Sequence, residues 1–499
     1  MFSYGLIILN AVYGIVLMPY IIGQIGQADY GVYKTVSAFT SALMVLDLGT
    51  GNTAMRYIAK FIAENREERI PGFIRALFAQ GAVISVVIAA VSGGIYLSLD
   101  TVYKNGLSAS EITKAKQLFI FLGLTVVFHV FENILNGIIT GYNRFIFANG
   151  CKFARLAIRI IMTYILLVFL HDSLVLVIMD MCLVLFLILL ELMYIKTKLK
   201  VRFSGGKIEK TILLQSFKYT ITVFTASILS QVQSNLDNVV IGALKSSVEV
   251  TVYSVALQFF NMYQQIGSSI SGVMLPTVIN SLENDDGKMT QTQRLIVQTG
   301  RIQFILLGAA FAGFSALGRE FIPLLMGSDG YGDVYCLSLI LMLPAMLEMC
   351  TNVCLAVLRA KNILKFYTVM LLVSMLINLL VTLVGTYFFN YYAAALGTAV
   401  SVIIGNLVMM NLFYHKRFGF NMLKLYGEVF KNTWLCILLG FAAAMLAKIP
   451  FSGLTQFIVG AAAFLAVYAA ALLGFGLNPR EKSMVFSVIN KLFKKKSKQ

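Results

Sequence analysis

The sequence predicts an all-α polytopic membrane protein of about 14 transmembrane helices, in two six-helix pseudo-symmetric lobes plus two extra C-terminal helices. Three observations carry this prediction. Of 499 residues, 59% are hydrophobic and 13% charged, about half the charge of a soluble domain. Apolar segments of bilayer-crossing length recur along the whole chain, and the basic residues cluster on alternate connections between them.

A helix that spans the hydrocarbon core needs about 17–25 apolar residues. Such segments fall near residues 1–23, 34–58, 74–99, 117–141, 153–170, 173–195, 213–243, 248–280, 296–318, 334–358, 365–389, 391–414, 431–448 and 454–477. The first has no basic region before it and no cleavage site, so it is expected to be a retained span. Pro19 and Pro276 bend the first and eighth spans near their ends. Most connections are short. The longest candidate extramembrane stretch is the basic segment near 196–212, and no soluble domain is expected.

Counting Lys and Arg on alternate sides places 33 of the 40 basic residues on one side and seven on the other. Positive residues are retained in the cytoplasm, so both termini are expected inside a cytoplasmic (cell) membrane. The formal charge of +17, which in a soluble protein would suggest nucleic acid, is then mostly a topology signal and an attraction to anionic inner-leaflet lipids.

Several classes are excluded. The six cysteines form no CxxC pair, and the three histidines (His129, His171, His415) stand far apart. No GxxxxGK[ST], GxGxxG or nucleophile-elbow sequence is present. No cofactor, metal or nucleic-acid partner is expected, and no enzymatic chemistry.

Internal symmetry is weak but ordered. Ile25 to Val36 and Leu244 to Val255 are related at an offset of 219–220 residues, and the offset of 220 sets Tyr33 on Tyr253. Glu132 and Asn136 lie over Glu348 and Asn352 at an offset of 216 residues. The expected organisation is an N-terminal lobe over 1–200, a C-terminal lobe over 211–415, additional helices over 431–477 and a basic cytoplasmic tail over 478–499. Six spans per repeat would give both halves the same membrane direction, with a cavity between them.

Polar residues inside the spans mark that cavity. The eighth span carries Gln258, Asn261, Gln265, Ser268 and Gly272 at alternating steps of three and four, hence on one face. The seventh carries Thr220, Ser227, Ser230, Gln231, Ser234 and Asp237; the second carries Ser37, Thr40, Ser41 and Asp47. Asn10 and Tyr13 extend the lining to the first span, the counterpart of the seventh. Interhelical hydrogen bonding, at about 0.6 kcal/mol per bond, is the plainer explanation. Stripes running the full length of a helix exceed that need. Intramembrane charges cost about 2.5–3.5 kcal/mol each on insertion scales. Asp237, Glu132 and Glu348 cannot snorkel far and are candidates for exchanging H⁺ or Na⁺. Arg56, Arg155, Arg159, Lys218 and Arg359 lie nearer the cytoplasmic ends, where snorkelling and substrate contact remain alternatives.

The run from Pro19 to Lys60 resembles the opening of the polysaccharide biosynthesis (Wzx-like) flippases of the multidrug/oligosaccharidyl-lipid/polysaccharide (MOP) exporter superfamily. Their pattern, a Pro, then LGxxxYGxY, then DLG before a basic Arg-Tyr-Ile-Ala stretch, is matched by Pro19, Gly26, Tyr30, Gly31, Tyr33, Asp47, Leu48, Gly49, Arg56 and Tyr57. The second-half counterpart is matched by Asp237, the segment Val252 to Ala256, and Pro276; the Arg359 to Asn362 segment and Asn378 are also similar to the family. The resemblance implies a flippase for polyprenyl-diphosphate-linked oligosaccharide repeat units, moved from the inner to the outer leaflet by alternating access. It further implies membrane lipids, a polysaccharide polymerase and chain-length proteins as partners, and a lipid-tail groove on the extra helix pair. The substrate-facing set would then be Asn10, Tyr13, Asp47, Arg56, Lys218, Gln231, Ser234, Asp237, Gln258, Asn261 and Gln265, with Arg56 and Lys218 meeting the phosphates. A cation-coupled drug or metabolite antiporter of the same superfamily and a membrane polysaccharide polymerase are the alternatives. Two extra helices speak against the first, and short outer loops against the second.

Overall fold

The computed structural model describes residues 13–47, 49–201, 229, 231–271, 274–283, 289–327, 329–361, 363, 365–479 and 481–483. Asn10 and Lys218, both expected in the cavity, lie outside the described residues. Among the described residues every regular element is helical and none is a strand. Among the described residues eight helices are long and apolar enough to cross a membrane, nine when Met422–Phe430 and Thr433–Ala447, bent by 44° at their junction, are taken as one span. Phe145–Phe169 has the length but carries Lys152, Arg155 and Arg159.

Three expected spans are interrupted. In place of one helix over 34–58, α2 (Gln27–Met44) ends in a tight turn at Val45–Asp47, and α3 (Thr50–Ala63) starts afresh. Gly49 turns the chain with φ +64° and ψ 37°, a conformation costly for any residue with a Cβ. The DLG sequence is therefore a helix break. The eighth expected span is Ser247–Ser271 followed by Leu275–Glu283, and the tenth is Gly332–Met349 followed by Val353–Ala360. Runs of apolar residues hide such breaks because hydropathy is blind to backbone turns.

The chain forms two compact units. The first comprises Met1–Ser254 with Met375–Gly397. After α1 (Met18–Ile25), α2 and α3 come α4 (Ile70–Val102), α5 (Ala109–Gly141), α6 (Phe145–Phe169) and α7 (Ser173–Tyr194). A helical run over 231–244, here α8, precedes α9 (Ser247–Ser271). α5 is the central post, with α2, α3, α4 and α7 packed around it. Its approach to α3 depends on small residues: a Cβ at Gly137 would stand 2.3 Å from the Gly51 carbonyl oxygen and 2.7 Å from the Ala54 Cβ. Ile58, Phe61, Ile70, Phe73, Ile74, Ile134 and Ile138 fill the core beside that contact. Ser108 begins α5 with a capping box to Glu111. Val83, Val86 and Leu97 on α4 are exposed, as a bilayer-facing surface requires.

The second unit comprises Val255–Ser374 and Thr398–Gln499. Its further helices are α10 (Leu275–Glu283), α11 (Thr290–Met326), α12 (Gly332–Met349), α13 (Val353–Ala360), α14 (Lys365–Phe388), α15 (Tyr392–Ser401), α16 (Met410–Phe418), α17 (Met422–Phe430), α18 (Thr433–Ala447) and α19 (Gly453–Ala471). α14 and α15 also contribute residues to the first unit. At 37 residues α11 runs about 55 Å, well beyond a hydrocarbon core of about 30 Å. α12, α17, α18 and α19 pack along it. Ala312, Ala316 and Leu317 of α11 meet Cys436 and Ala444 of α18 and Phe464 and Tyr468 of α19. The Tyr468 hydroxyl donates to the Ile305 carbonyl at 2.7 Å, and Lys448 binds the Ala316 carbonyl and Glu320.

Candidate functional site

Within the first unit, the α2–α3 break, α5, α6 and α7 enclose a polar chamber of about 470 Å³, lined by Asp47, His129, Glu132, Asn133, Lys152 and Arg155 among apolar residues. Each polar group is placed by its helix. Asp47 sits at the break with one carboxylate oxygen accepting from the Thr50 hydroxyl at 2.6 Å and the other from Asn133 Nδ2 at 3.1 Å. His129 and Glu132, three apart on α5, share a face: His129 Nδ1 lies 3.1 Å from Glu132 Oε2. Arg155 Nη2 lies 2.9 Å from His129 Nε2. One turn along α5, Asn136 Nδ2 donates to Glu191 Oε1 at 3.1 Å, and Glu191 is fully buried. Arg159 pairs with Asp180 at 2.7 Å and so ties α6 to α7. Charges of both signs thus lie side by side, which lowers the cost of burying each of them.

A second polar centre of the same unit surrounds Asp237 on α8. The Tyr253 hydroxyl donates to its Oδ2 at 2.5 Å. Thr382 Oγ1 lies 3.1 Å from Asp237 Oδ1 and 2.9 Å from Asn378 Oδ1. A hydroxyl has one proton, so Thr382 donates to one of these oxygens at a time, and the corner is rich in acceptors. In the second unit, Asn406 Nδ2 donates to Glu348 Oε1 at 2.7 Å. Asn406 lies on the π-helical segment Val402–Met409 between α15 and α16, a backbone defect frequent at functional sites.

The structure brings Asp47 and Glu132 into one chamber and leaves Asp237 and Glu348 in centres of their own. Arg56 is exposed on α3 and does not line the chamber. Tyr13 opens the π-helical turn Tyr13–Leu17. Gln231 is half-buried and its carbonyl accepts from Asn235; Ser234 is exposed. On α9 Asn261 and Gln265 are exposed and Gln258 half-buried, while Phe259, Phe260 and Tyr263 are buried. Sequence reasoning missed His129, Glu191 and Thr382. The signals were present: an HxxE spacing at 129–132, a lone Glu in an apolar run, and a Thr four residues after Asn378.

The model of a family described as polysaccharide biosynthesis protein matches residues 2–281. Lipid II flippase MurJ in an inward closed conformation is similar in structure with a TM-score of 0.72 at 17% identity, over 94% of this chain and 97% of that one. An inward-facing multidrug resistance MATE family transporter of the MOP superfamily follows at 0.64 and 13%, over 85% and 98%. The eukaryotic MATE transporter AtDTX14 gives 0.55 and 16%, over 86% and 97%. No curated protein sequence matches the chain. The structural likenesses fix the fold as that of MOP transporters. With more than half of its length matched by the family model, the chain belongs to the polysaccharide biosynthesis protein family.

Proposed function

We propose that the protein is a flippase that moves polyprenyl-diphosphate-linked oligosaccharide repeat units from the inner to the outer leaflet of the cytoplasmic membrane by alternating access. Family membership carries the proposal. Chain length supports it. MurJ is matched over 94% of this chain and the MATE transporter over 85%, each covered almost completely, a difference of about 45 residues in 499. In this scheme Asp47, Gln231, Ser234, Gln258, Asn261 and Gln265, with Asn10 and Tyr13, line the path of the sugar head, and Arg56 and Lys218 meet the phosphates near the cytoplasmic face. Asp237, Glu132 and Glu348 couple the cycle to H⁺ or Na⁺. The lobes are 1–200 and 211–415, and both termini are cytoplasmic.

A second proposal, cation-coupled antiport of a drug or metabolite, draws on the acceptor-rich corner at Asp237. Proteoliposomes loaded with a fluorescent lipid-linked oligosaccharide distinguish the two. Under an imposed cation gradient, labelled head groups are expected to become accessible to an external glycosidase. Efflux of small organic cations without movement of the lipid would establish the antiporter instead.

A further inference from the structure

The chamber of the first unit contains a three-residue chain whose protonation state is dictated by its partners. Arg155 is a donor only, and its Nη2 lies 2.9 Å from His129 Nε2, so that nitrogen must be a bare acceptor. The imidazole proton then resides on Nδ1 and is donated to Glu132. This arrangement exists only with a neutral His129. A proton added to Nε2 would set two donors, both cationic, face to face, and the Arg155 contact would have to open.

Arg155 also stands at a boundary. It lines the polar chamber and, with Leu187, a second cavity of about 330 Å³ between α6 and α7. The lining of that second cavity is otherwise apolar: Gly150, Cys151 and Ala154 keep the α6 side low, and Leu183, Phe186 and Leu190 contribute from α7. Ile146 is 77% and Phe186 50% exposed at its rim, so the groove opens on the outer surface of the unit, where lipid lies. An apolar groove with one cation in its lining fits an amphiphile with an anionic head.

We propose that protonation of His129 releases Arg155 to hold the phosphates of an isoprenoid diphosphate whose chain lies in the α6–α7 groove. The ligand class rests on the flippase proposal; the switch itself does not. Lys152 on α6 supplies a second cation to the chamber. Of the acidic groups facing His129, Asp47 is bound by Thr50 and Asn133 and Glu132 by His129 itself, while Glu191 is bound by Asn136 through Oε1 only and its buried Oε2 has no hydrogen-bond partner. Asp180 is held by Arg159. Reciprocity makes head-group binding and proton uptake mutually favourable, so an empty, deprotonated chamber keeps Arg155 docked on the imidazole.

The test is equilibrium binding of radiolabelled farnesyl diphosphate to the full-length protein in lipid nanodiscs between pH 8 and pH 6, corrected for empty nanodiscs. Wild type is expected to bind at least ~10-fold more tightly at pH 6. His129→Gln, which can accept from Arg155 and donate to Glu132 at every pH, should bind weakly and without pH dependence. Arg155→Gln should lose the binding at pH 6, and inorganic diphosphate, lacking the chain, should bind at least ~10-fold more weakly than farnesyl diphosphate. Equal wild-type affinity at both pH values, or a persistent slope in His129→Gln, overturns the switch. Full affinity in Arg155→Gln overturns the head-group assignment, and inorganic diphosphate binding as tightly as the lipid overturns the groove. Size-exclusion profiles identify any variant that misfolds, and either variant alone suffices for the test. Should proteoliposomes translocate no lipid-linked oligosaccharide while this pattern holds, the flippase proposal fails and the switch stands.

Discussion

Removing the guanidinium of Arg301 should unfasten the C-terminal helix pair. Arg301 lies on α11 with 3% of its surface exposed, and all its nitrogens are engaged. Nε and Nη2 reach Glu481 at 2.8 and 3.3 Å; Nη1 donates to the carbonyls of Glu428 and Lys431, and Nη2 to that of Gly476 at 3.0 Å. Those carbonyls close α17 and the π-turn Leu472–Gly476 after α19, where the helix dipole is negative. Arg301→Ala would leave a largely buried carboxylate and three carbonyls without their cation, a loss of about 3–5 kcal/mol, or roughly two to four orders of magnitude in the unfolding equilibrium. An exposed pair such as Lys116 with Asp100 contributes about 0–1 kcal/mol by comparison. Arg301→Lys cannot span the same acceptors and should fall between. The chain's one tryptophan, Trp434, lies in the first turn of α18, beside the clamp. Its emission during denaturant titration in detergent gives the assay. The alanine variant should unfold at clearly lower denaturant than the lysine variant, and both below wild type. Coincident transitions of Arg301→Ala and wild type would show that the clamp contributes nothing and refute the reasoning.

Three further outcomes are expected. Asp237→Asn preserves shape but removes the charge from the Tyr253–Thr382 corner, so gradient-driven transport should be lost while the protein still elutes as a single species; undiminished gradient dependence would remove Asp237 from coupling. Gly137→Val forces α3 and α5 apart by about 1 Å, because the new Cβ would fall 2.3 Å from the Gly51 oxygen, and should cost about 1–3 kcal/mol, seen as a shorter half-life on heating in detergent. Arg56→Ala, at an exposed position, should lower the initial rate of lipid-linked oligosaccharide translocation; an unchanged rate would return Arg56 to a topology role.

Fold class and site differ in how far they could be seen from the sequence. Membrane helices are local: a run such as Ile70–Val102 declares itself by composition, because every backbone group is satisfied within the segment. The break at Asp47 was hidden, since its cause is the φ of one glycine in an apolar run. Asp47 and Glu132 could be singled out from insertion cost alone, but their meeting place could not, because the separation of 86 residues between Asp47 and Asn133 carries no periodic signal. Charge alone places Arg155 with the basic residues near the cytoplasmic ends of the helices. Its position between an imidazole and an apolar groove depends on how α5, α6 and α7 pack. Arg301 was counted as a topology residue for the same reason; its partners lie 127 to 180 residues away.

Set against each other at the expected offset of 216 residues, the two halves show related contacts and different chemistry. α5 and α7 of the first unit are bridged by an amide on α5 and a carboxylate on α7, Asn136 with Glu191. In the second unit the carboxylate is Glu348 on α12 and the amide is Asn406, almost opposite Glu191 in the alignment. One hydrogen bond therefore joins corresponding helices with its partners exchanged. The exchange follows from what surrounds Glu132, which His129 already occupies, so that Asn136 one turn further on makes the bridge. The positions aligned with His129 and Arg155 are Ala345 and Leu371, and nothing there competes for Glu348. An Arg–His–Glu chain can thus form in the first half alone. A proton taken up at His129 would therefore act on the first unit, at a site for which the aligned positions of the second half, Ala345 and Leu371, have no titratable counterpart.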